Sequence, residues 1–253
     1  MAGDRPGCDA GAGMSLRLVA LCVDADDPLR LARFWGEALR WAVADGTEDR
    51  VPVLPTDGTG FRMEFVRNPA PKVGPNRLHL DLTSTSLDDQ REFVERLLSL
   101  GARHLDIGQG PDESHVVLAD PEGNELCVLE PGNSFVSDSS RLGSITCEGT
   151  REVGLFWSAA LGWPLVWDQD EETAVRAPDG THTFITWGGA PPPKVGRNRL
   201  HLEVAPAGGA AQEAEVERLV PLGATLLDRG EGGADRVALA DPDGNELCVL
   251  PPA

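Results

Sequence analysis

The sequence NRLHLD at residues 76–81 returns almost unchanged as NRLHLE at residues 198–203, an offset of 122 residues. Three other blocks recur in the same order. They are FW at 34–35 and 156–157, PKVG at 71–74 and 193–196, and the ten residues that begin with Asp-Pro at 120–129 and 241–250. Solenoid and propeller repeats are only about 20–50 residues long, so this spacing indicates two tandem copies of a whole domain.

Each copy shows the element order β-α-β-β-β twice. An apolar run over residues 16–23 predicts the first strand, and Asp27 followed by Pro28 predicts the start of an amphipathic helix. Further apolar runs predict four strands and a second helix in copy one. The strands cover 61–66, 78–82, 116–119 and 126–129, and the helix covers 87–100.

Composition sets the boundaries between these copies. Residues 1–14 have no apolar run and are expected to form a loose tail. The polar stretch 132–140 is typical of a linker. We therefore predict one domain over 15–131 and a second over 141–253, both of an α+β class, that pair within one chain.

The charge balance is strongly acidic, with 22 Lys and Arg against 41 Asp and Glu and a net charge of −19. Phosphate contacts need clustered cations, so nucleic acid and anionic membranes are not expected as partners. Five cysteines without a CxxC pair, and no targeting or membrane-spanning run, predict a cytoplasmic protein. Acidity favours a cationic or neutral ligand, although solubility alone also explains it.

Alternation along residues 77–83 separates two faces of one strand. Leucines occupy one face, and polar side chains that can orient a ligand or move a proton occupy the other. The polar set is Arg77, His79 and Asp81 in copy one and Arg199, His201 and Glu203 in copy two. A self-satisfied structural network is the alternative interpretation. Trp167 and three other tryptophans either line a pocket for a planar group or fill the core.

These blocks, in this element order, resemble the vicinal oxygen chelate superfamily, which includes glyoxalase I, extradiol dioxygenases and bleomycin-resistance proteins. The likeness rests on the Phe-Trp helix, the Asn-Arg-Leu-His-Leu strand and the Asp-Pro-x-Gly-Asn-Glu-Leu-Cys block, and it covers nearly all of residues 15–252. It implies tandem βαβββ modules, two per domain, that form a cupped mixed sheet with helices outside. Ligands of such proteins bind in the cup.

The resemblance also implies metal positions on the first strand, on the first strand of the second module and on the last strand. His79 and His201 match the second position. The other positions carry unmatched residues, namely Leu18 and the region of Gly143 at the first and Cys127 and Cys248 at the third. Because a stable site needs about three protein ligands, we predict no metal and no other cofactor. A zinc site on His79, Asp81 and Cys127 is the alternative.

The expected function is that of a metal-free protein that binds a small organic molecule, cationic or aromatic, and sequesters a drug or metabolite. The predicted ligand-binding residues are Arg77, His79, Asp81, Cys127, Arg199, His201, Glu203 and Cys248. The alternative is an enzyme, a lyase, isomerase or dioxygenase of the superfamily with an altered metal site.

Overall fold

A computed structural model describes residues 15–110, 113–133, 136, 139–178, 184–191, 193–227 and 235–252. The predicted tail, Cys8 and His182 lie outside the described residues. The described chain consists of four modules, each a strand, a helix and three further strands.

Modules 1 and 2 come from copy one. Module 1 comprises β1 (Leu16–Ala25), α1 (Pro28–Leu39), β2 (Ala42–Val43), β3 (Arg50–Leu54) and β4 (Arg62–Arg67). Module 2 comprises β5 (Leu78–Leu82), α2 (Leu87–Ser99), β6 (Arg103–His104), β7 (Val116–Ala119) and β8 (Glu125–Val128).

Modules 3 and 4 come from copy two. Module 3 comprises β9 (Leu142–Glu148), α3 (Arg151–Leu161), β10 (Leu165–Gln169), β11 (Glu172–Val175) and β12 (Phe184–Gly188). Module 4 comprises β13 (Leu200–Pro206), α4 (Gln212–Leu219), β14 (Thr225–Leu226), β15 (Val237–Ala240) and β16 (Glu246–Val249).

The modules assemble into two mixed sheets of eight strands, and each sheet takes one module from each copy. Sheet 1 has the order β14-β15-β16-β13-β1-β4-β3-β2, which joins modules 4 and 1 through the antiparallel pair β1–β13. Sheet 2 has the order β10-β11-β12-β9-β5-β8-β7-β6, which joins modules 3 and 2 through β5–β9. The α+β class with mixed sheets is confirmed, and the two copies pair within the chain. Contrary to expectation, the two modules of one copy do not form a sheet together, because each sheet joins modules of different copies.

The predicted alternation in β5 is confirmed, because Leu78, Leu80 and Leu82 are buried while His79 and Asp81 are partly exposed. The buried faces of the strands and the apolar sides of the helices form one core cluster that contains residues of all four modules. Burial of this apolar area is the main source of folding stability. The opposite face of each sheet carries polar side chains and is called its polar face below.

Local signals place the helices as the sequence indicates. The Asp27 carboxylate accepts a hydrogen bond from the Arg30 amide at the start of α1. Thr150 occupies the same position before α3, but its side chain makes no capping bond. Instead, the Asp243 carboxylate accepts a hydrogen bond of 2.6 Å from the Thr150 amide.

The Asp-Pro-x-Gly-Asn block is structural, as turn chemistry predicts. The Asp120 carboxylate accepts hydrogen bonds from the Asn124 amide, the Asn124 side chain and the Trp35 indole. Gly123 has φ of 89°, a conformation that glycine adopts without strain. Asp241 makes the equivalent bonds to Asn245 and to the indole of the second Phe-Trp helix. The turn therefore ties each Phe-Trp helix to a sheet.

Candidate functional site

The polar face of sheet 2 carries a compact group that we call the His79 cluster: His79, Asp81 and Cys127. Ligand atoms of these three residues lie within 4.8 Å of one another. His79 Nε2 lies 3.4 Å from Asp81 Oδ1, and β8 places Cys127 beside Asp81 in register. Asp81 Oδ2 accepts hydrogen bonds of 2.9 Å from Ser144 and 2.6 Å from Thr146, both on β9.

The electrostatics of this cluster favour an imidazolium beside a carboxylate. Burial by itself would lower the pKa of His79, but hydrogen bonds to Asp81 and Cys127, together with their charges, raise it to about 10. Burial raises the pKa of Asp81, but the bonds from His79, Thr146 and Ser144 outweigh burial and lower it. Burial raises the pKa of the Cys127 thiol. His79 is 24% exposed, so a charged proton donor reaches the surface of this face.

A continuous cross-strand row leads from the His79 cluster to the far edge of sheet 2. Register pairs His79 with Thr146, Thr146 with Thr186, Thr186 with Ala174, and Ala174 with Trp167. Paired residues share a face, so this row crosses five strands, about 19 Å. Trp167 is 36% exposed.

An apolar group borders the same row. Phe184 lies beside Ser144 in register and packs with Val136, Ala174 and Leu129. Polar and apolar surfaces therefore meet on this face, which is the composition typical of small-molecule sites.

Sheet 1 carries the counterpart of this cluster, which we call the His201 cluster: Cys22, His201 and Glu203, again with ligand atoms within 4.8 Å. Its surroundings differ, because two arginines pair with the fully buried Glu203. Arg50 Nη2 donates to Glu203 Oε1 at 3.0 Å, and Arg236 donates to the same oxygen. A second carboxylate, Glu64, accepts from Arg50 at 2.9 Å and from Arg62.

The His201 cluster does not fit a metal ion. Arg50 Nη2 lies 3.4 Å from Cys22 Sγ and also contacts Glu203, so a guanidinium already fills the cation's place. Burial, followed by the Glu203 charge, raises the pKa of Cys22 well above its ordinary value, whereas a metal ligand must be a thiolate. The charged residues on the polar face of sheet 1 therefore form a network in which arginines balance the charges of Glu64 and Glu203.

The His79 cluster offers a metal three donors, the set that a zinc site on these residues would use. No arginine pairs with Asp81 among the described residues, in contrast to Glu203. Its carboxylate already accepts two hydroxyl bonds and lies beside the His79 cation, so the charges of this cluster balance without an ion.

The structure corrects two placements made from the sequence. Arg77 and Arg199 precede their strands and do not join the clusters: Arg77 donates to the Asp243 carbonyl, and Arg199 pairs with Glu122. Both residues lie outside the strands, so the alternation of side chains along each strand did not determine which way they point. In sheet 1, the cysteine of the cluster is Cys22 of β1, while Cys248 lies beside Glu203 in register.

The first-strand metal position was misaligned as well. The residues opposite the two histidines are Cys22 and Thr146, whereas Leu18 is buried in the core. One feature explains the error, since β1 has a register shift between Leu18 and Ala20. Alternation within β4 would have identified Arg62 and Glu64. Arg50 and Arg236 have no such signal, because Arg50 reaches Glu203 from β3 and Arg236 reaches it from the residue before β15.

A family model of the glyoxalase-like domain matches residues 20–129 and, again, residues 144–250. The chain belongs to the glyoxalase-like domain family. Both copies of the repeat are therefore glyoxalase-like domains, and the resemblance to the vicinal oxygen chelate superfamily is confirmed. Comparison with curated proteins gives no match.

Solved structures show the same glyoxalase-like fold over nearly the whole chain. Glyoxalase I from Zea mays is similar at 15% identity over 94% of this chain and 93% of that chain, with a TM-score of 0.66. A putative dioxygenase from Bacillus subtilis subsp. subtilis str. 168 is similar at 13% identity over 93% and 86%, with a TM-score of 0.56. At these identities the likeness concerns the fold alone. None of the helices in the described ranges has the length and hydropathy that crossing a bilayer requires.

Proposed function

We propose that this chain binds a small planar organic molecule on the polar face of sheet 2, without a metal ion, and sequesters it. The observation that carries the proposal is the row that joins the His79 cluster to Trp167, with Phe184 beside it. The two ends of the row are at least partly exposed, whereas Thr186 and Ala174 between them are buried. Trp167 offers an aromatic surface to a planar group, and the His79 cation offers a donor to an acceptor on a ligand. The negative charge of the whole protein additionally favours ligands with a cationic group.

Sheet 1 is proposed to stabilise the fold rather than to bind this ligand. Its polar face has the equivalent histidine, but its two buried carboxylates are paired with arginines of the same face. A ligand there would have to break these pairs. In sheet 2, the carboxylate is held by hydroxyl groups and the imidazole remains partly exposed.

A thermal-shift screen tests the proposal directly. Planar compounds, with cationic, neutral and anionic members, are tested on the full chain at fixed ionic strength. A ligand present at a hundred times its Kd stabilises the folded state by about 2.7 kcal/mol. We expect stabilising hits among the cationic and neutral aromatic members. Dominance of anionic hits would contradict the expectation about charge.

The matched variants His79→Ala and His201→Ala locate the site of any hit. His79→Ala should weaken binding, and His201→Ala should leave affinity unchanged. Whether or not His79 binds a ligand, its removal leaves Asp81 short of a partner and costs about 1–3 kcal/mol of folding free energy, so the change in affinity decides its role. Loss of stability with unchanged affinity would remove the His79 cluster from the site.

The convergence of His79, Asp81 and Cys127 favours a second candidate, a lyase, isomerase or dioxygenase with a metal at this cluster. Elemental analysis of protein purified without chelator separates the two candidates. We expect less than stoichiometric zinc, iron, nickel or manganese. One tightly held ion per chain that is lost in His79→Ala would contradict the metal-free proposal and favour the enzyme.

A further inference from the structure

A cavity of about 330 Å³ lies between the two copies, where the repeated loops 70–78 and 193–200 face each other. Its charged lining is mostly cationic, although the protein as a whole is strongly acidic. The charged lining residues are Lys72, Arg77, Lys194, Arg197, Arg199 and the single carboxylate Asp24.

Four of these five cations have a carboxylate partner. The pairs are Lys72 with Glu125 at 2.5 Å, Lys194 with Glu246 at 2.7 Å, Arg197 with Asp24 at 3.1 Å and Arg199 with Glu122 at 3.0 Å. Arg77 is the exception, since no carboxylate oxygen of the described residues lies within 4.0 Å of its guanidinium.

Arg77 is only 9% exposed, and its guanidinium is incompletely bonded. Nη1 donates to the Asp243 carbonyl at 2.9 Å, and the buried Nε has no hydrogen-bond partner within the described ranges. A buried charged donor without an acceptor costs folding free energy. The remaining edge of the guanidinium, Nε and Nη2, matches the two oxygens of a carboxylate or phosphate.

A single substitution between the copies explains why Arg77 differs from Arg199. In copy one the Glu122 carboxylate accepts from the Asp26 and Asp27 amides at the start of α1 and also pairs with Arg199. The equivalent residue in copy two is Asp243, which is one methylene shorter. Its carboxylate accepts from the Thr150 amide and makes no ion pair with Arg77.

We propose that the Arg77 cavity binds the oxyanion of a small molecule, a carboxylate or phosphate group that stands where copy one has the Glu122 carboxylate. This site is separate from the His79 cluster and does not depend on the function proposed for it. The ligand supplies the two acceptors that Arg77 lacks. Because the other four cations of the lining are paired with carboxylates, Arg77 carries the positive charge that an anion would balance.

Titration of the full chain with acetate and with inorganic phosphate, against sodium chloride at matched ionic strength, tests the site. We expect at least one of the two oxyanions to raise the Tm saturably, and the anion that does so identifies the group. Arg77→Gln should weaken this binding by about tenfold or more. Asp243→Glu should abolish it in a folded protein, because the longer side chain supplies the missing carboxylate internally.

Arg197→Gln is the matched control, since it removes a positive charge from the same lining but leaves Arg77 in place. It should bind the oxyanion within about twofold of the wild type. If Arg77→Gln does not unfold cooperatively, Arg77→Lys replaces it, because lysine keeps the charge but lacks the paired donor edge. No stabilisation beyond chloride, wild-type affinity in Asp243→Glu, or equal losses in the Arg77 and Arg197 variants would each overturn the proposal.

Discussion

The polar faces of the two sheets have the same strand arrangement and an equivalent histidine, yet the carboxylate near that histidine has different partners on each face. In sheet 1, Arg50 and Arg236 pair with Glu203; in sheet 2, Ser144 and Thr146 donate to Asp81. Neighbouring positions differ in a similar way, since they are charged in sheet 1 and uncharged in sheet 2. Arg62 and Glu64 of sheet 1 correspond to Phe184 and Thr186 of sheet 2.

This difference teaches that two equivalent carboxylates of a duplicated fold can be satisfied in different ways, by arginines in sheet 1 and by hydroxyl groups in sheet 2. Ion pairs with arginine satisfy a fully buried carboxylate but occupy the space around it. Hydroxyl groups satisfy a carboxylate with less volume, so the imidazole beside it stays partly exposed. The predictions below test whether stability resides in sheet 1 and binding in sheet 2.

The largest effect is expected for Glu203→Gln, which removes the shared partner of Arg50 and Arg236. Because Glu203 is fully buried and its partners are partly exposed, the loss in free energy of unfolding should be about 2–4 kcal/mol. Chemical denaturation measures it. Glu37→Gln is the control, since its pair with Arg96 is exposed and should contribute under about 1 kcal/mol. Equal losses would refute the stabilising role of sheet 1.

For Asp81→Asn we expect a smaller loss in the free energy of unfolding, about 1–3 kcal/mol. The amide oxygen still accepts hydrogen bonds from the hydroxyl groups, but the attraction to His79 disappears. The same variant should weaken binding of any ligand found in the screen, which Glu203→Gln should not do. Denaturation and ligand titration of both variants check this contrast. It fails if Asp81→Asn is the more destabilised protein and binds normally.

The pH dependence of stability distinguishes the two faces further. The pKa of His79 is raised to about 10. The contribution of His79 to the free energy of unfolding is therefore fully present below about pH 6.5 and declines as pH rises toward 10. Denaturation across this range should show the wild type losing about 1–2 kcal/mol relative to His79→Gln. The exposed His104 provides the control, since His104→Gln should run parallel to the wild type. A constant difference for His79→Gln would refute the ion pair with Asp81.

The smallest effect on the free protein is expected for Trp167→Ala. This side chain is 36% exposed, so its removal should change the unfolding free energy by only about 0.5–1 kcal/mol. Affinity for a planar ligand should nevertheless fall, by about tenfold. Leu226→Ala removes a 57% exposed apolar side chain at the edge of sheet 1 and should leave affinity unchanged. Unaltered affinity in the Trp167 variant would exclude it from the site.

The sequence by itself determined the duplication, the βαβββ order and the core face of β5, because repeats, apolar periodicity and turn residues are local properties of the chain. The resemblance to the vicinal oxygen chelate superfamily added Cys127 to His79 and Asp81, and Cys127 does lie beside Asp81 on the adjacent parallel strand. These inferences need no knowledge of which module pairs with which.

Only the tertiary structure decided that each sheet combines modules of both copies. That pairing places Cys22 of copy one beside His201 of copy two and brings Arg50 onto Glu203, contacts between residues more than 150 positions apart. The register shift in β1 and the shorter side chain of Asp243 also matter only through distances between strands and loops, which the tertiary structure sets. Pairing across the chain is set by packing of the whole core, which no local pattern encodes.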